Sequence, residues 1–390
     1  MTDVEVTPGS QAALRRANQQ RVVDALRSGG TLTQAEIARG TGLSPASVSN
    51  IVRNLRAAGT VSVRETSSNG RRARAVTLIR PPGAVVALDF TPGRITAALG
   101  DSQGAVLARE GIAYDVAAEP ERAVRRAVWL VETLLTRLRV DHGTIAAVTA
   151  AVPGPVDLRT GEIGAITGMP RWAGFRPAQA LTSRLGVAVQ AENDANLCAL
   201  AEIRDGAAAE REHVIYVRIG EGVGAGIVVD GTLFRGAGGT AGEIGHIGLD
   251  ERGQVCRCGN RGCLETVLGA PYLVGMLPHQ GERAPASVPE LVAAAEEGDP
   301  GCRRVVAEAG TALGRGLGIL ANTFNPEMVV LGGELIEAGE ALLEPVRRSL
   351  ELGTLGSALG QMEIVRGGLG DEAALRGALL LAATAAASEV

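Results

Sequence analysis

Near the start of the chain, apolar positions recur at the three- and four-residue spacing of helices in three short stretches. Gln11–Ser28 carries Leu14, Val22, Val23 and Leu26 on one side and predicts a helix. A second begins at Thr33, an N-cap that forms a capping box with Glu36 three residues on. Ile37 and Ala38 then face inward, and Gly42 breaks the helix. Ser44-Pro45 opens the third, a capping hydroxyl followed by proline in the first turn. Its apolar face is Val48, Ile51, Val52 and Leu55, and Gly59 ends it. Two short helices joined by Gly-Leu-Ser predict a helix-turn-helix. The period then changes from helical to alternating. Val61–Arg64 and Ala73–Leu78 flank Ser67-Ser68-Asn69-Gly70 as a hairpin, so the stretch reads as a winged helix-turn-helix domain. Pro81-Pro82-Gly83 follows as a stiff linker.

Beyond the linker one pattern occurs twice. Ala84–Asp89, Arg94–Gly100 and Val106–Tyr114 predict three strands in hairpin succession, then a helix (Glu119–Val140) and a strand (Ile145–Ala151). The order returns in Val214–Ile219, Ala225–Val229 and a short strand near Thr232–Phe234, followed by helices and the strand Met328–Leu331. A duplicated α/β domain with a cleft between its halves is expected. The apolar strand Val187–Gln190 leads into Glu192-Asn193-Asp194-Ala195-Asn196 at the start of a helix. In open sheets, ligands bind where strands end at such a switch. Asp194 reads either as an N-cap or as a group facing the cleft.

Charge divides this layout. Residues 1–80 hold twelve arginines against five acids, a net of +7, while the chain of 390 residues totals −5, which leaves −12 on the remainder. A basic head on an acidic body predicts that only the head meets a polyanion. The third helix exposes Ser44, Ala46, Ser47, Asn50, Arg53 and Asn54, short groups suited to a major groove. Arg71, Arg72 and Arg74 of the wing are placed for phosphate or a minor groove. The partner expected is operator duplex DNA. No lysine occurs, so all 38 basic residues are arginine; with 53 glycines and alanine-rich stretches this points to a GC-rich coding sequence. No signal-peptide pattern opens the chain, and the longest largely apolar stretch, Ala378–Ala387, is too short to span a bilayer. A cytoplasmic protein without membrane partners is expected.

Three of the five cysteines, Cys256, Cys258 and Cys263, fall within eight positions, with His246 ten residues upstream. One imidazole and three thiols make a complete tetrahedral shell for one structural Zn2+. Cys198 and Cys302 sit in alanine-rich helical contexts as core thiols. Glu243 and Glu265 bracket the loop. Carboxylates and an amide that each take two hydroxyls suit a polyol.

Cys-Arg-Cys-Gly-Asn-Arg-Gly-Cys-Leu-Glu, with Gly-Glu-Ile-Gly-His upstream, resembles the signature of the ROK family of sugar-responsive repressors, open reading frames and sugar kinases. The winged head resembles that of the family's repressors, which its kinases lack. The resemblance implies an actin-like (ribonuclease H-like) two-lobe sugar-kinase fold. The first lobe would be residues 81–192, completed by a C-terminal helix within 372–390, and the second 193–371, the dimerising part. Asn193, Asp194, Glu243, His246 and Glu265 fall on the family's sugar-contacting positions, and Asp194 on that of the kinases' general base. His246 then has two readings, zinc ligand and sugar contact, and one ring nitrogen can serve each.

The two phosphate turns depart from the kinase pattern. Asp89-Phe90-Thr91-Pro92-Gly93 stands where the kinases resemble Asp-x-Gly-Gly-Thr, and proline has no N–H to offer. Gly220-Glu221-Gly222-Val223-Gly224 stands where they resemble Gly-Thr-Gly-x-Gly. A carboxylate about 4 Å from a phosphate repels by roughly 4 kcal/mol per charge at an effective dielectric of about 20. Gly332-Gly333 survives, and Gly168 replaces a frequent asparagine. These residues imply a sugar-binding regulator without kinase catalysis, acting as a homodimer or homotetramer. An active kinase joined to a DNA-binding head, and a zinc-responsive regulator, are the competing readings.

Overall fold

The computed structural model describes residues 18–26, 30–57, 60–68, 71–78, 83–164, 169–277 and 285–388. They separate into two compact units, one up to Pro82 and one from Gly83 to Ala385. Leu14, Gly59, Asn69-Gly70, Pro81-Pro82 and Gly168 lie outside the described residues, as do the side chains of Arg71 and Arg72.

The first unit holds helices α1 (residues 18–26), α2 (Gln34–Thr41) and α3 (Pro45–Ala57) and strands β1 (Leu32–Thr33), β2 (Val61–Ser68) and β3 (Arg71–Leu78). Both bonds of the capping box form: the Glu36 amide donates to Thr33 Oγ1 at 3.3 Å, and the Thr33 amide to Glu36 Oε2 at 2.7 Å. Gly42 takes φ +66°, the left-handed conformation that stops α2. Ser44 Oγ accepts from the Ser47 amide at 3.1 Å at the start of α3. Val22, Leu26, Ile37, Val48, Val52 and Leu55 close the core with Val61 and Val76. The hairpin is longer than alternation alone implied, paired from Val61↔Leu78 to Ser68↔Arg71. The two-residue β1 joins β3 through Leu32↔Val76, a pairing too short to leave a periodic signal.

The second unit contains two five-stranded sheets of matching order. One runs β6-β5-β4-β7-β8, from β4 (Ala84–Thr91), β5 (Arg94–Gly100), β6 (Val106–Ala113), β7 (Ile145–Val152) and β8 (Val189–Asn193). The other runs β11-β10-β9-β12-β13, from β9 (Val214–Ile219), β10 (Val223–Val229), β11 (Thr232–Leu233), β12 (Met328–Gly332) and β13 (Glu363–Arg366). In each, the first strand of the meander pairs antiparallel with its hairpin neighbour and parallel with the strand that follows the helical crossover. The repeat in the sequence is thus a repeat in topology. The central strands are apolar on both faces because helices cover them.

The helices are α4 (Pro120–Leu138), α5 (Pro177–Leu185), α6 (Asp194–Asp205), α7 (Glu265–Leu268), α8 (Ala270–Gly275), α9 (Val288–Glu297), α10 (Pro300–Phe324), α11 (Glu340–Gly353), α12 (Gly356–Leu359) and α13 (Ala373–Ala386). Trp172 is fully buried in the first core, 5.3 Å from the ring of Phe90, and its indole N–H donates to Val116 O at 2.8 Å. The longest helix, α10, meets α11 backbone to backbone. A Cβ on Gly310 would lie 2.5 Å from Leu342 O, and one on Gly314 2.4 Å from Val346 O. The closing helix α13 packs beside the first sheet and α6: Leu379 lies 3.0 Å from where a Gly100 Cβ would be, and Gly377 leaves room for Leu197 O.

Candidate ligand cavity and metal loop

A cavity of about 1570 Å³ opens between elements of the two sheets, lined among others by Asp89, Asp194, Arg218, Glu221, Glu243 and Arg257. Its floor is the β8–α6 junction. β8 runs through Glu192 and Asn193, further than its apolar residues suggested, so the turn into α6 is abrupt. The cap of α6 is Asn193, not Asp194: Asn193 Oδ1 accepts from the amides of Ala195 (2.9 Å) and Asn196 (3.2 Å), while Nδ2 donates to Gly154 O at 3.1 Å. An N-cap acts from the residue just before the first helical turn, and β8 places Asn193 there. Asp194 becomes the first helical residue and projects into the cavity, where the helix N-terminus favours its charge. Behind them the buried Glu192 is tied to Arg235 (2.6 Å), Asn196 Nδ2 (2.9 Å) and the Asn193 amide (2.9 Å).

Asp194 is not free. Arg218 Nε lies 3.2 Å from its Oδ2. Sequence reasoning passed over Arg218, yet a cation in the apolar run Val-Ile-Tyr-Val-Arg-Ile was a visible anomaly. Asp89 shares this pocket. Burial pushes its carboxyl up to about 6; Arg218 opposes the rise, and Asp194 and Asp371 add to it. Glu202, on the far side of α6, is fully buried and accepts from the amides of Ala207 (2.7 Å), Gly368 (3.1 Å) and Leu369 (3.0 Å). It ties α6 to the loop beside Asp371.

Glu243 precedes a single 3-10 turn, Ile244–His246. Burial raises its carboxyl to about 7, with Asp194 and Glu265 adding to the shift. His246 Nε2 lies 3.9 Å from Glu243 Oε2, and His246 Nδ1 lies 3.6 Å from Cys256 Sγ. The imidazole thus presents one nitrogen to a cavity carboxylate and the other to the thiols. The ligand atoms of His246, Cys256, Cys258 and Cys263 all lie within 4.8 Å of one another, and Cys258 Sγ is 3.6 Å from Cys263 Sγ. Short bridges Gly248↔Cys263 and Val255↔Arg261 frame the loop. Gly262, at φ +59°, passes so close to Asp250 that a Cβ would sit 1.7 Å from its carbonyl oxygen. One nitrogen and three sulfurs at this spacing fit a tetrahedral divalent ion of borderline softness. Glu265 begins α7 and is buried, ion-paired to Arg257 at 2.5 Å. Arg257, between two of the thiols, is the second residue that sequence reasoning missed.

The remaining positions singled out from the sequence lie apart from this cluster. Pro92 follows β4 and Glu221 lies exposed in the β9–β10 turn, and both line the same cavity. In the first unit Ser44, Ala46, Asn50, Arg53, Asn54 and Arg74 are exposed, and Ser47 is half-buried. No helix among the described residues is long and apolar enough to cross a membrane.

Comparison with known proteins agrees with both units. Residues 16–73 match the MarR family and residues 85–385 the ROK family. The chain is 30% identical over 392 residues to the N-acetylglucosamine repressor of Escherichia coli O6:H1, covering 95% of each. It superposes on a ROK family transcriptional regulator, a homolog of the E. coli MLC protein, with TM-score 0.78 and 25% identity over 96% of this chain and 97% of the other. The ROK hexokinase of Thermus thermophilus aligns with 77% of this chain and 97% of its own length, at 33% identity and TM-score 0.64. With the signature loop, the paired five-stranded sheets and a family match across most of its length, the chain belongs to the ROK family.

Proposed function

We propose that this protein is a sugar-responsive, DNA-binding transcriptional regulator, a repressor of carbohydrate uptake or catabolism genes that a sugar releases from its operator. The observation that carries the reading is the joining, in one chain, of a winged helix-turn-helix unit to a kinase-type cavity that holds Asp194, Glu243 and His246 but meets the phosphate side with Pro92 and Glu221. A relative of similar length is named for repression and an amino sugar, whereas the hexokinase aligns with the second unit's share of the chain.

In this reading α3 enters a major groove with Ser44, Ala46, Ser47, Asn50 and Arg53, while Arg71, Arg72 and Arg74 bind the backbone or the minor groove. The sugar's hydroxyls donate to Asp194 and Glu243, His246 Nε2 completes the set, and Asn193 and Glu265 fix the walls. Asp194 does no catalysis here; it is an acceptor held by Arg218. His246, Cys256, Cys258 and Cys263 would hold one structural zinc ion, which supplies rigidity and has no open coordination position for a substrate. Paired half-sites require two heads, so the working form is a homodimer or a dimer of dimers, in the cytoplasm.

The test is calorimetry of sugar binding with and without a saturating duplex selected by the protein from a random library. A sugar that releases DNA must bind more weakly on DNA by the factor it imposes, typically about 5 to 150. Equal affinities would refute coupling, and tighter binding on DNA would make the sugar a co-repressor. In the same assay Asn50→Ala should relax sequence preference, while Arg71→Ala with Arg72→Ala should weaken all duplexes alike and reduce the salt slope by about 2.

A further inference from the structure

Strand β9 carries one cation, Arg218, in a run of otherwise buried residues. It pairs with Gly224 of β10 on one side and Gly332 of β12 on the other. Residues directly opposite on neighbouring strands share a face of the sheet, so these two glycines leave Arg218 without a flanking side chain and give its long stem a lane. Along it Arg218 reaches the cavity, where its side chain is 32% exposed. Asp194 is its one ion-pair partner among the described residues.

Asp194 takes a bond at each oxygen. Its Oδ1 accepts from the Ala195 amide at 2.8 Å, and its Oδ2 lies 3.2 Å from Arg218 Nε. The torsion that turns a carboxylate about its stem is broad, so one bond leaves the plane loose and a second, at the other oxygen, sets it. Each oxygen still has a lone pair for a ligand hydroxyl. Asp89 and Glu243 line the same cavity, and repulsion between like charges would otherwise turn Asp194 away from them.

We infer that Arg218 is a specificity-determining positioning residue: by fixing the plane of the Asp194 carboxylate it sets which arrangement of hydroxyls the cavity accepts, and so separates sugars that differ at one stereocentre. The inference rests on the reading of this cavity as a sugar site. It needs no net charge, because the working contact is one N–H held in one place. Epimers carry the same hydroxyls in different directions. A fixed acceptor suits one of them and is left unpaired by the other, whereas an acceptor free to turn follows either.

Calorimetry tests this with three sets of epimers: glucose, mannose and galactose; their N-acetylamino counterparts; and xylose with lyxose. Within at least one set the wild-type protein should separate two members by about tenfold or more, the scale of a charge-assisted hydrogen bond. Arg218→Met removes the donor and should bring that ratio down to about threefold or less. Arg218→Gln should keep the ratio, since its side-chain nitrogen follows Cδ as the arginine Nε does, without the charge. In an Asp194→Asn background Arg218→Met should move the ratio no further, because the two residues act as one unit. The inference is overturned by a wild-type ratio near one, by an unchanged ratio in Arg218→Met, or by a further shift in the Asp194→Asn background. A fall in Arg218→Gln as large as in Arg218→Met overturns it as well. Should Arg218→Met not fold, Arg218→Lys replaces it, keeping the charge but placing a methylene where Nε stood. Its ratio should fall likewise, and a retained ratio counts against the inference in the same way. Failure of every sugar to bind the wild-type protein would instead strike the sugar reading, and this inference with it.

Discussion

The two ends of the cavity are built on different terms. At one end polar side chains of the cavity are held by partners: Asp194 by Arg218, Asn193 by Gly154 O and the amides of its own helix, and Glu265 by Arg257 and the Val223 amide. At the other end Pro92 brings no amide, and Glu221 stands exposed without an ion pair among the described residues. A site that must hold a ligand in one pose needs supported groups, and a site released from that task keeps the turn but not the support. In the proposed function the supported end is the one that holds the ligand, and the unsupported end is the one where phosphate chemistry is absent.

Four experiments break or sharpen that contrast. The largest effect belongs to Cys258→Ser, which removes one thiolate from the loop bearing Arg257. We expect zinc loss by elemental analysis and a drop of several kcal/mol in unfolding free energy, out of the roughly 10–16 kcal/mol that such sites supply. Sugar binding should fail with it. Next comes Glu202→Gln. Three amides lose an anionic acceptor, and charge-assisted bonds of this kind make a loss of about 2–4 kcal/mol reasonable, read by denaturant titration. Because Glu202 joins α6 to the loop beside Asp371, both ends of the cavity should loosen. A neutral result would mean the ends are mechanically independent.

Third is Asp89→Asn. A carboxyl raised to about 6 in the folded protein, against about 3.9 unfolded, binds its proton more tightly when folded. Stability therefore declines as pH rises through about 4 to 6, and the full cost applies above that window. Asn has no such titration, so it should be more stable than the wild type at pH 7.5 by about 1–3 kcal/mol and equal to it near pH 4. A pH-independent difference would show that Asp89 is not strained. The smallest effect is expected from Glu221→Thr: Glu221 is exposed, so solvent screening brings its repulsion down to about 1 kcal/mol, and the change should raise ATP affinity by no more than about tenfold. Wild-type phosphorylation of any sugar at roughly 1–100 per second would erase the distinction between the ends altogether.

Much of this was legible before any coordinates. Thr33 and Glu36 announce α2 because a capping box is a local arrangement with local cause. The two sheets could be foreseen because hairpin alternation and apolar crossover strands are written in short windows of sequence. What stayed hidden was pairing across long separations. Arg218 meets Asp194, and Glu202 meets Gly368, only after folding brings distant segments together. Arg257 was overlooked for another reason: cysteines on either side drew it into a metal motif in which it holds no metal. The exchange of cap between Asp194 and Asn193 shows the resolution of pattern reading, since neighbouring residues of equal capping strength differ only in where the strand stops.

The contact of α10 with α11 has a bearing on how such chains diversify. Any single-nucleotide change in a glycine codon that alters the residue adds a side chain, and at Gly310 or Gly314 that side chain has a carbonyl oxygen within 2.5 Å of it. Selection is therefore offered no small step along this seam. Around the cavity the opposite holds at Glu221, which lies exposed in the β9–β10 turn without an ion pair among the described residues, so a replacement there breaks no such contact. Lineages descended from such a chain would be expected to exchange ligands freely on an unvarying helical plate.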